Sequence, residues 1–140
     1  MTMTLDPAHT PAPVSIDLPF AAESAGIARG RLQEWLDEIG AEAERREDAR
    51  LLLSELVGNS VRHARPLDDE ILRVEWRQHE SATLSIAVTD GGAGSTPEVV
   101  DAGIGDTGGR GMAIVEILAR RWWVESDRRR TTVHAEVPLD

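Results

Sequence analysis

Leu51-Leu52-Leu53-Ser54-Glu55-Leu56-Val57-Gly58-Asn59-Ser60-Val61-Arg62-His63-Ala64 carries two helical stripes at once. Ala49, Leu52, Leu53, Leu56 and Ser60 recur at the three- and four-residue spacing of a core-facing stripe. Glu55, Asn59 and His63 are spaced by four and stack along a second stripe. The helix is expected from about Glu44 to about Ala64, and it must stop before Pro66. An Asn carbonyl is a neutral, hard oxygen suited to Mg²⁺, an ion that keeps several waters and takes few protein ligands beside substrate phosphates. A Glu one turn away can orient or deprotonate a hydroxyl. A polar stripe turned to solvent would read the same way, so this helix alone does not decide the chemistry.

Downstream, Ser85-Ile86-Ala87-Val88-Thr89 reads as a buried strand that delivers Asp90 into Gly91-Gly92-Ala93-Gly94. Glycine allows a ligand to approach the backbone closely and permits positive φ. A carboxylate there accepts hydrogen bonds from an exocyclic amine such as that of adenine. An ordinary Asp-Gly hairpin turn is the competing reading. Farther on, Gly103-Ile104-Gly105-Asp106-Thr107-Gly108-Gly109-Arg110-Gly111-Met112 runs into an apolar helix. Free amides at a helix start form an anion site, and Arg110 adds a charge-assisted contact to phosphate.

Composition narrows the possible designs. The 140 residues suit one domain with one core, and the absence of cysteine excludes disulfides and thiolate metal sites. A net charge of −10 opposes binding to nucleic acid or to an anionic membrane surface. No apolar run is long enough to span a bilayer, and the first residues lack the pattern of a secretory signal, so a cytoplasmic location is expected. All fifteen basic residues are arginine. P-loop proteins and the usual protein kinases both place a lysine on the phosphates, so neither architecture is available.

The remaining segments give the fold class. Residues 1–13, with Pro7, Pro11 and Pro13, read as a mobile tail ahead of a domain spanning 14–140. Val14 to Leu18 alternates as a strand, and Glu23 to Ile39 is helical, with Ala28, Leu32, Trp35, Leu36 and Ile39 on one face and Gly40 ending it. Alternation marks strands at Leu72–Trp76, Leu84–Val88 and Val133–Val137, and Arg121–Glu125 forms another, joined to the last by a turn near Asp127–Arg130. A loop is expected from Asp90 to Arg110 and a helix from about Gly111 to Ala119. This order predicts an α+β two-layer sandwich, a mixed and mostly antiparallel sheet with helices on one face. Trp122 and Trp123 must point to opposite faces of their strand, so one is a candidate partner contact.

The three elements, in this order, resemble the GHKL ATPases of the Bergerat ATP-binding fold. The Glu55…Asn59 helix is similar to the family's N-box, Asp90-Gly91-Gly92-Ala93-Gly94 to its D-x-G-x-G box, and Gly109-Arg110-Gly111 to its second glycine box. Within that superfamily, Ser54–Ala64, Leu18-Pro19-Phe20 and Gly109–Val115 resemble the small anti-sigma serine kinases of bacteria. The resemblance implies that Asn59 ligates Mg²⁺ and that Glu55 acts as general base. It implies that Asp90 binds the adenine amine, that Gly92, Gly94, Gly109, Gly111 and Met112 line the nucleotide, and that Arg110 meets phosphate. His63 falls within the same site by position, although a helix-end contact is the plainer role for it. The family's terminal Gly-Thr pair is altered here: Arg130 precedes Thr131 and Thr132, so either threonine fits the pocket position.

The implied cofactors are ATP and Mg²⁺. The implied partners are a sigma factor and a STAS-type anti-anti-sigma protein phosphorylated on serine, with a homodimer as the assembly. A nucleotide-dependent binding module without phosphotransfer remains the alternative. A sensor histidine kinase is less fitting, because His9 lies in the proline-rich tail and His63 in the presumed ATP site.

Overall fold

Alternation of apolar and polar residues puts one hydrophobic face on each strand, and helical stripes cover that face. The computed structural model describes residues 11–80, 82–92, 99–100 and 112–140. The elements are β1 (Val14–Pro19), α1 (Ser24–Ile39), α2 (Ala43–His63), β2 (Ile71–His79), β3 (Thr83–Asp90), β4 (Val99–Val100), α3 (Ala113–Leu118), β5 (Arg121–Ser126) and β6 (Thr131–Pro138). They form one six-stranded sheet in the order β1-β2-β3-β6-β5-β4. Every pairing among the described residues is antiparallel, where the sequence reading allowed a mixed sheet.

The helices lie on one face, giving the α+β two-layer sandwich expected. Leu72, Val74 and Trp76 of β2, Leu84, Ile86 and Val88 of β3, and Ala135 and Val137 of β6 are all buried beneath them. From above, α2 contributes Ala49, Leu52, Leu53, Leu56 and Val57, and α1 contributes Ala28, Leu32, Trp35 and Leu36. The packing runs from α1 to α2 and from α2 to α3, with α2 over β3 and β6. Gly40 closes α1 in the left-handed conformation at φ 68°, as its position after the stripe predicted. Trp35 Nε1 donates to the Ala12 carbonyl at 3.0 Å, so the backbone just ahead of β1 is tied to α1.

Three details depart from the sequence reading. The segment expected to be loop from Asp90 to Arg110 contains β4, whose two residues extend the sheet by pairing with Val124 and Glu125. A two-residue strand has no room to show alternation, so periodicity could not reveal it. The last helix spans only Ala113–Leu118, because the chain turns extended at Ala119 to enter β5. Ile39, placed on the buried stripe of α1, is only partly buried at the edge of the core. Residues 1–10 of the expected tail, His9 among them, lie outside the described residues.

The opposite face of the sheet is polar. Trp122 is buried under the helices, whereas Trp123 is half-buried on the other face, stacked on His134 with ring centroids 4.9 Å apart. Arg121 caps that stack, 4.3 Å above the Trp123 ring, and His134 Nε2 meets Glu125 at 2.7 Å. No helix among the described residues is long and apolar enough to cross a membrane.

Candidate functional site

Three chain segments converge at one end of the sandwich: the last turns of α2, the end of β3, and the start of β6. Strand alternation explains why Asp90 arrives there. Leu84, Ile86 and Val88 face the helices, and two residues on, Asp90 must face them too. It is 3% exposed, so its carboxylate is removed from water and has to be held by donors. Ser60 of α2 donates to Asp90 Oδ2 at 2.6 Å, and the Gly92 amide donates to Oδ1 at 2.8 Å. Ser60 sits on the stripe assigned to the core by spacing, and it is buried as that spacing requires. Its hydroxyl there is the signal that could have been read: a buried hydroxyl needs a polar partner, and Asp90 is that partner.

The two glycines after Asp90 do different work. A Cβ on Gly91 would lie 2.1 Å from the Pro66 carbonyl oxygen and 2.9 Å from that of Arg65, so no other residue fits. This close approach forms a backbone latch, with the Gly91 amide donating to the Arg65 carbonyl at 2.7 Å and the Arg65 amide to the Gly92 carbonyl at 3.0 Å. The latch fixes the exit of α2 against the end of β3 and thereby sets Ser60 opposite Asp90. Gly92 adopts φ +80°, the left-handed region, which aims its amide back at the carboxylate. Sequence reading named Gly92 and passed over Gly91.

Asn59 is 7% exposed and bridges α2 to the entry of α3. Its Nδ2 donates to the Met112 sulfur at 2.9 Å, and its Oδ1 accepts from Arg62 Nη2 at 3.2 Å. The carbonyl oxygen expected to hold a metal therefore already faces a cationic donor, and its chemistry fits a hard divalent ion. Glu55, one turn earlier on the same side of α2, is half-buried and makes no hydrogen bond or ion pair among the described residues. His63 is exposed on the last turn of α2, likewise without a partner among the described residues.

The register of β6 on β3 separates the two threonines. Thr131 pairs with Asp90 and shares its helix-facing side, while Thr132 pairs with Thr89 on the opposite side. Thr131 is 8% exposed, its Oγ1 is 2.9 Å from Ser126 Oγ, and a Cβ on Gly92 would lie 3.2 Å from it. Thr132 Oγ1 instead meets Thr89 Oγ1 at 2.8 Å on the polar face. Gly94, Gly109, Arg110 and Gly111 lie outside the described residues. Asn59, Met112, Asp90, Gly92 and Thr131 thus stand together, Glu55 is on their helix, and Thr132 is turned away.

Residues 18–136 match the family model described as the histidine kinase-like ATPase domain. The chain belongs to that family. Among solved structures, this histidine kinase-like ATPase domain resembles the crystal structure of the RsbU and RsbW domains of Rv1364c from Mycobacterium tuberculosis. The TM-score is 0.72 at 25% sequence identity, over 92% of this chain and 33% of that one. The chain therefore spans about a third of that solved protein. No curated protein sequence matches it. Family and fold together make the chain an ATP-binding domain of the GHKL type, which agrees with the three motifs read from sequence.

Proposed function

We propose that residues 14–140 act as one Mg-ATP-binding domain that phosphorylates a serine on a STAS-type antagonist and holds a sigma factor inactive. The observation that carries the nucleotide part is the buried Asp90 carboxylate, held by Ser60 and Gly92 beside Asn59. A carboxylate fixed in that way presents acceptor lone pairs to an adenine amine, with Thr131 on the same side of the sheet. Asn59 Oδ1 is the protein oxygen suited to Mg²⁺. Bound Mg²⁺ would neutralise charge on the phosphates and orient them.

Glu55 is the general base in this reading. It takes the proton from the partner's serine hydroxyl, the serine oxygen bonds to the terminal phosphorus, and ADP leaves with the bridging oxygen. Support comes from its place one turn before Asn59 and from its freedom from any ion pair among the described residues. The likeness to the RsbU and RsbW domains of Rv1364c, with the Ser54–Ala64 motif, supports a regulatory role with protein partners, and a homodimer is part of the same reading. Thr131, rather than Thr132, takes the pocket position on geometric grounds.

The test is incubation with labelled ATP and the cognate STAS protein. Label should appear on a serine of that protein and vanish with Glu55→Ala, while ATP binding persists. If the chain binds ATP tightly but transfers nothing, the binding-module reading takes its place.

A further inference from the structure

Gly58 stands inside α2, five residues before its end, where glycine is a poor helix former. A Cβ built there would lie 3.0 Å from Arg62 Nη1 and 3.5 Å from both Cζ and Nη2. The guanidinium is therefore folded back along the helix and lies across the bare backbone of Gly58. From that seat Nη2 donates to Asn59 Oδ1 at 3.2 Å. Arg62 has no carboxylate partner among the described residues, and among them Asn59 Oδ1 is the acceptor that holds its charge. Gly58, Asn59 and Arg62 thus form one unit, in which the missing side chain of the first seats the cation of the third on the oxygen of the second.

We propose that Arg62 is a built-in competitor for the metal at Asn59, holding Oδ1 until a divalent cation displaces it. The inference rests on the Mg-ATP reading of this site. A guanidinium and a doubly charged ion on one carbonyl oxygen repel each other, and solvent at this exposed helix end only partly screens that repulsion. Metal binding must therefore move Arg62, and the metal requirement of nucleotide binding is set higher than Asn59 alone would set it. The displacement is conformationally easy, because the end of a long, exposed side chain moves and the helix does not.

The experiment is calorimetric titration of ATP into the full chain over a series of free Mg²⁺ concentrations. Wild type is compared with Arg62→Met, Gly58→Ala and, as a charge control on the polar sheet face, Arg77→Met. Arg62→Met is expected to lower the half-saturating free Mg²⁺ by roughly three- to tenfold, with Arg77→Met unchanged. Gly58→Ala crowds the guanidinium and shifts it by a few tenths of an ångström, so it should move the requirement the same way by less than Arg62→Met does, while raising the melting temperature. An unchanged or higher Mg²⁺ requirement in Arg62→Met, with wild type binding ATP normally, overturns this inference alone. Failure of wild type to bind ATP at any Mg²⁺ concentration overturns the nucleotide reading as well.

Discussion

Replacing Gly91 by alanine tests the geometry that holds the site together. The new methyl carbon would meet the Pro66 carbonyl oxygen at 2.1 Å, a backbone atom that cannot rotate aside. Relief requires the Arg65–Pro66 segment to withdraw from the end of β3, stretching both latch hydrogen bonds, at 2.7 and 3.0 Å. Stretching rather than breaking the two bonds forfeits about half of the roughly 1 kcal/mol that each contributes net, and residual backbone strain adds about 1–3 kcal/mol, so the loss is roughly 2–4 kcal/mol. For a chain of this size that corresponds to a fall in melting temperature of about 5–15 °C. Thermal denaturation of Gly91→Ala beside Gly30→Ala measures it. A Cβ on Gly30 meets nothing within 4 Å on the exposed side of α1, so that variant should gain up to about 1 kcal/mol. If Gly91→Ala melts with wild type and binds nucleotide normally, the close approach of β3 to Pro66 is wrong.

Further outcomes follow from the same contacts. Ser60→Ala removes one of the donors to Asp90 and should weaken ATP binding on the order of tenfold, measured by calorimetry, with a smaller effect on melting. Thr131→Val should weaken nucleotide binding, while Thr132→Val should leave it within about twofold, since its hydroxyl meets that of Thr89 on the other face. The amides of Arg129 and Arg130 hold Asp127 below the usual carboxylate range. A depressed folded pKa contributes stability that is present above the unfolded value, near pH 4, and is lost as pH falls through the folded one. Asp127→Ala should therefore lower the melting temperature at neutral pH and lose that effect in strongly acid solution.

The elements read most easily were those whose signal is local. The stripe of α1 ending at Gly40, and the alternation at Leu84–Val88, needed only neighbouring residues to be legible. Asp90 and Asn59 were legible for the same reason, as a strand end and a helix stripe. What stayed hidden depends on residues distant in sequence. Gly91 is required by Pro66, which lies on the far side of β2, and nothing beside Gly91 announces that contact. Ser60 looked like a small core residue until Asp90 stood opposite it. Thr131 and Thr132 are identical in type and adjacent, so only the register of β6 on β3 could divide them. β4 exists by pairing with β5, and two valines carry no period.

The most direct test of the central claim is calorimetric binding of ATP with Mg²⁺ to wild type, Asp90→Ala and Glu55→Ala. The account predicts saturable one-to-one binding by wild type, loss of that binding in Asp90→Ala, and its retention in Glu55→Ala. Equal binding by wild type and Asp90→Ala, or no binding by wild type, would contradict it.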